Sequence, residues 1–121
     1  MKPEIRKIDP SKEYYFQEGC FINELSNSAN DPDVSIARAR VEPGVKTRKH
    51  ALNRTTERYL ILSGEGLLEI EGQPDQMVHE GDCVIIPPGV AQSIMNTVQE
   101  DLIFIAICSP RFELSAYEDR E

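Results

Sequence analysis

Two glycine-framed stretches decide the reading of this chain: GVKTRKHALNRTTERYLILSG at residues 44–64 and GDCVIIPPGVAQSIMN at residues 81–96. In the first, Glu57, Tyr59 and Ile61 alternate with Arg58, Leu60 and Leu62, the period-two signature of a strand with two distinct faces. The second is a short apolar run stopped at Pro87 and Pro88, which cannot donate to a β-ladder. Each stretch carries a polar residue at a fixed offset from its glycines, a layout expected to bring His50, Glu57 and Gln92 to one place. Strand periodicity extended back through VKTRKH puts Lys46 and Arg48 on the side of His50.

Outward from these stretches the same grammar continues. SIARARV at 35–41 alternates Ala37, Ala39 and Val41 with Arg38 and Arg40, so its arginines are expected on an outer face, paired with acids. GLLEIEG at 66–72 sets Leu68 and Ile70 against Glu69 and Glu71. EYYF and CFINEL read as strands before the loop SNSANDPD, and LIFIAIC (102–108) is apolar throughout, so both its faces are expected to be covered. No segment has the pattern of an ordinary amphipathic helix. Recurring short strands with turn signals between them argue for an all-β sandwich or barrel.

The 121 residues are expected to form one domain, with an N-terminal arm at 1–13, a barrel at 14–109 and a tail at 110–121 in which Phe112, Leu114 and Tyr117 fold back and an acidic end frays. A chain of this length buries roughly two-thirds of its unfolded surface without a disulfide or structural metal. Cys20, Cys83 and Cys108 lack metal-ligand spacing and read as buried, reduced thiols. The net charge of −8 with no basic stripe argues against nucleic acid, and no apolar run approaches membrane-spanning length. A cytoplasmic location is expected, since MKPEIRKIDPSKEYY has no signal-peptide core.

The two stretches resemble the paired motifs of the cupin family. The first motif, G-x5-H-x-H-x3,4-E-x6-G, is matched by Gly44, His50, Leu52, Glu57 and Gly64, with one histidine absent. The second, G-x5-P-x-G-x2-H-x3-N, is matched by Gly81, Pro87, Gly89, Gln92 and Asn96, with its histidine replaced. The resemblance implies a double-stranded β-helix, or jelly-roll barrel, often a homodimer, whose open end holds a metal on three histidines and a glutamate. Here the implied set shrinks to His50, Glu57 and Gln92, weak and unselective among Mn, Fe, Ni and Zn. The alternative of equal weight is a site without metal, where His50 and Glu57 hydrogen-bond each other.

The candidate pocket is Arg48, His50, Tyr59 and Gln92 with Glu57 as catalytic base. Arg48 either orients an anionic ligand or serves only the fold by pairing with an acid. Tyr59 reads as core more than as a ligand contact, His79 as surface and Asn96 as a backbone bridge. Three functions follow: a metal-dependent enzyme of isomerase or dioxygenase type on a small polar or anionic metabolite; a non-catalytic ligand-binding or sensing module; or a structural dimer with a vestigial pocket.

Overall fold

A computed structural model describes residues 1–121. Its strands are β1 (Tyr14–Phe16), β2 (Cys20–Ser26), β3 (Ser35–Val41), β4 (His50–Leu52), β5 (Thr56–Ser63), β6 (Glu65–Ile70), β7 (Gln76–His79), β8 (Cys83–Ile86), β9 (Gln92–Asn96), β10 (Leu102–Ser109) and β11 (Tyr117–Asp119). They form two antiparallel sheets, one in the order β1-β2-β3-β10-β5-β8 and the other β11-β4-β9-β6-β7. This is the expected all-β jelly roll. No helix is long and apolar enough to cross a membrane.

The alternation read from the sequence sets the inner faces. Ala39, Val41, Tyr59, Ile61, Leu68, Ile94 and Phe104 meet between the sheets in one continuous core. Tyr59 and Phe104 pack with ring centroids 4.3 Å apart. On the outside, Arg40 grips Glu13 at 2.6 and 3.1 Å and reaches Asp101 at 3.6 Å, as the alternation of β3 requires. Gly64 turns β5 into β6 with φ +82°, and a Cβ there would lie 2.8 Å from the carbonyl oxygen of Asp101, so only glycine fits. Asn96 bridges backbone by donating to the carbonyls of Val41 and Glu100 and accepting from Val98 N–H.

Several boundaries differ from the pattern in the sequence. Residues 45–49 do not continue as a strand, since only Lys46 makes an isolated bridge, to Met95, and β4 starts at His50. β8 is an edge strand rather than a buried one: Cys83 and Ile85 point outward, so Cys83 is an exposed thiol while Cys20 and Cys108 are buried. β10 is buried on one face only. Its other face, Ile103, Ile105 and Ile107, is half-buried beside the exposed Leu60 and Leu62 of β5. The tail does not fray before its end, because Tyr117–Asp119 pairs with β4 as β11. Leu114 is exposed, so Phe112 and Tyr117 alone fold inward.

Candidate functional site

Strand register assembles the site. His50 on β4 pairs with Gln92 on β9 in one sheet, and Glu57 on β5 pairs with Cys108 on β10 in the other, so the two groups face each other across the barrel mouth. Tyr59, two residues on from Glu57, points to the same side. All four are buried, His50 and Gln92 at 1% exposure. The fold thus brings His50, Glu57, Tyr59 and Gln92 within reach of one another.

Their wiring is specific. His50 Nδ1 lies 2.9 Å from the carbonyl oxygen of Arg48, which can only accept, so Nδ1 carries a proton, and the Gln92 amide N–H beside Nε2 calls for a lone pair there. That lone pair accepts from the Gln92 amide, Nε2 to Nε2, at 2.8 Å. The same amide nitrogen lies 2.7 Å from Tyr59 Oη and 3.1 Å from Glu57 Oε1. Tyr59 donates to Glu57 Oε1 at 3.3 Å, and the Cys108 thiol reaches Glu57 Oε2 at 3.8 Å. Gln92 Oε1 is left buried without a partner.

One residue outside both motifs, and without any signal in the sequence, completes the group. Glu18 sits in the β1–β2 turn, which Gly19 closes at φ +103° with its N–H on the carbonyl of Phe16. Its backbone carbonyl accepts the Arg48 N–H at 2.7 Å, and its carboxyl Oε2 lies 3.6 Å from His50 Nε2. Glu57 Oε1 lies 4.0 Å from the same imidazole atom. Burial raises the Glu18 carboxyl to about 8. Burial, then the negative charge of Glu18, raises Glu57 to about 7, and burial drives Tyr59 well above the ordinary phenol. Burial likewise raises the Cys108 thiol, so it is no ready nucleophile.

Of these groups Glu18, His50, Glu57 and Cys108 line a recess of about 50 Å³, room for a small ligand only, whereas Tyr59 and Gln92 do not line it. Its walls include Phe16, Glu18, Glu24, His50, Glu57, Phe112 and Tyr117, and no lysine or arginine lines it. Tyr117 stacks on His50 with centroids 5.1 Å apart and 19° between planes, and its hydroxyl is buried with no partner. Arg48 does not join: it is exposed and its Nε donates to Asp119 at 2.9 Å, because the chain before His50 is not a strand and its side chain turns toward β11. His79 is exposed beside Glu65 and Asp82.

A model of the cupin domain matches residues 37–108, spanning both motifs and most of the barrel. The chain belongs to the cupin family. An uncharacterized protein of Methanocaldococcus jannaschii is 32% identical over 123 residues, covering 100% of this chain and 93% of that one. The oxalate-binding protein of Thermotoga maritima is 35% identical over 72 residues, 60% of this chain and 59% of its own length. Among solved structures, a double-stranded β-helix protein of Klebsiella pneumoniae superposes with a TM-score of 0.79 at 18% identity, covering 98% of this chain and 99% of that one.

Cupins often bind metal, so the donor set of this cupin matters. Leu52 stands at the second histidine position of the first motif and has no donor atom. The lone pair of His50 is already taken by an N–H of Gln92, and the amide turns that N–H, not its oxygen, toward His50 and Glu57. No three His, Cys, Asp or Glu side chains gather as ligands around a common point. Wired in this way, His50, Glu57 and Gln92 do not fit a divalent ion.

Proposed function

We propose that this cupin takes a small polar molecule into its barrel mouth and moves a proton on it through Glu57, without drawing on a bound metal. The observation that carries the reading is the buried network Gln92–His50–Tyr59–Glu57, whose one acid is raised to about 7 and lines the recess. A carboxyl at that value can both take and return a proton near neutral pH. The amide of Gln92 and the phenol of Tyr59 hold its Oε1 and leave Oε2 with only the weak thiol contact of Cys108. His50 then acts as the fixed post for Gln92, and Tyr117 covers it.

The non-catalytic reading has one observation in its favour. The lone pair of His50 is committed to Gln92, so the imidazole is not free to act as a base. One experiment separates the two. A library of small polar metabolites is screened against wild type and Glu57→Gln by melting temperature, and every binder is followed by NMR for chemical change. A binder consumed by wild type and bound intact by Glu57→Gln supports the enzyme. A binder left intact by both supports a sensing module. If no binder perturbs Glu57 or Tyr117, the pocket reading falls.

The homodimer and the cytoplasmic location belong to the same proposal. Ile103, Ile105 and Ile107 with Leu60 and Leu62 form an apolar stripe on the outer face of the six-stranded sheet, where a second copy would cover them. Sedimentation of wild type and Ile105→Arg tests this, with a dimer expected for the first and a folded monomer for the second.

A further inference from the structure

The lining of the recess has a chemical bias that neither motif contains. Three carboxyl side chains, Glu18, Glu24 and Glu57, border it, and no lysine or arginine does. Nor does His50 supply a positive charge in its hydrogen-bonded form, since Nδ1–H donates to the Arg48 carbonyl and Nε2 accepts from Gln92. The cations of this end of the molecule are committed elsewhere. Arg48 is held by Asp119, and Arg111, which donates to the lining residue Asn27 at 3.0 Å, reaches Glu113 at 3.7 Å. Glu24 takes a hydrogen bond from Asn27, whereas the Glu18 carboxyl has no hydrogen-bond donor and lies 86% buried.

The remaining walls are partly aliphatic, with Ile22, Ile36, Ala37, Leu52 and Ala106, and partly aromatic, with rings that stand at right angles. The ring of Phe16 meets Tyr117 at 5.2 Å and 83°, and Phe112 at 6.2 Å and 87°, so adjacent walls are set crosswise. Ring faces carry negative quadrupole charge and attract a cation most strongly where water is excluded. Glu18 and Glu57, whose carboxyls lie 3.6 and 4.0 Å from one imidazole atom with no lysine or arginine in the lining, border a recess with aromatic rings in its wall, and the element such a site lacks is positive.

We propose that the pocket takes a small organic cation, a primary ammonium whose N–H groups meet the carboxylates of Glu18 and Glu57 while its carbon chain lies among Phe16, Phe112 and Tyr117. The assignment rests on the pocket reading above and replaces the anionic ligand expected from Arg48. It also makes Glu18 a specificity-determining residue. A dianion such as oxalate would meet three carboxyl groups and no cation.

Calorimetric titration and melting curves at pH 8, in constant chloride, test it with n-propylammonium, tetramethylammonium, butyrate and oxalate as probes. Propylammonium is expected to bind saturably and more tightly than tetramethylammonium, which has no N–H to donate, and Glu18→Gln is expected to weaken it at least tenfold. That variant is near-isosteric and removes a buried acid, so its melting temperature without probe should equal or exceed that of wild type. A Phe112→Leu variant, which keeps the acids and removes one ring, should weaken propylammonium severalfold. Absence of saturable propylammonium binding, an affinity unchanged in Glu18→Gln, or a preference for tetramethylammonium overturns the assignment. Tighter binding of butyrate or oxalate that is lost in Glu57→Gln overturns the cation while leaving the pocket itself standing.

Discussion

Replacing Glu18 by glutamine should stabilise this protein, and by an amount that grows with pH. In the unfolded chain the carboxyl titrates near 4.5, and in the fold near 8. Between those values the folded state holds a proton that the unfolded state has lost, so folding takes up a proton and stability falls as pH rises. The fall begins near pH 4.5, continues to about pH 8 and then levels off. At about 1.4 kcal/mol per pH unit the ceiling is about 5 kcal/mol, and the 14% of the side chain still open to water brings the expected loss to about 2–4 kcal/mol. Glu57 adds a second decline in the same direction between 4.5 and about 7, enhanced by the charge of Glu18, so the two do not add independently. Urea unfolding followed by circular dichroism, suited to a chain without tryptophan, would be run for wild type and Glu18→Gln from pH 5 to 9. The variant should match wild type within about 1 kcal/mol at pH 5 and exceed it by about 2–4 kcal/mol at pH 9. A difference that does not change with pH would refute the burial of an unpartnered acid at this turn.

Other consequences follow from the same structure. Gly64→Ala forces a left-handed residue against the Asp101 carbonyl and should cost about 2–4 kcal/mol, read as a lowered urea midpoint with an unchanged slope. Arg48→Ala should leave both melting temperature and pocket binding unchanged, because its partner Asp119 is as exposed as it is; ligand affinity lost in that variant would return Arg48 to the site. Elemental analysis of tag-free protein supplied with Mn, Fe, Ni or Zn should find under about a tenth of an ion per chain, with no further loss in His50→Ala. One ion per chain, lost in that variant, would show that the Gln92 amide turns over to ligate.

What the sequence disclosed and what it withheld have a common physical cause. Alternation in residues 35–41 and 57–61, and glycines that only a turn can use, report on local geometry, so the two sheets and the meeting of His50, Glu57 and Gln92 could be read directly. Arg48 was placed wrongly because the period-two pattern was carried through residues that make one isolated bridge. Glu18 gave no signal: an acid before a glycine in a tight turn is ordinary, and only the packing of the β1–β2 turn against Arg48 brings it to His50. The strand at 117–119 is three residues of an acidic tail whose pairing depends on the exposed edge of β4. The direction in which the Gln92 amide faces is set by the imidazole tautomer, which no motif encodes.

The proposed function requires that the acid of the first motif work through a proton rather than through a metal. Carbon-13 NMR of glutamate-labelled protein, with Glu57→Gln to assign the resonance, follows the Glu57 carboxyl directly from pH 4 to 10. A titration near 7 is expected. A Glu57 resonance that stays ionised from pH 5 upward, as a metal-bound or salt-bridged carboxylate would, contradicts it.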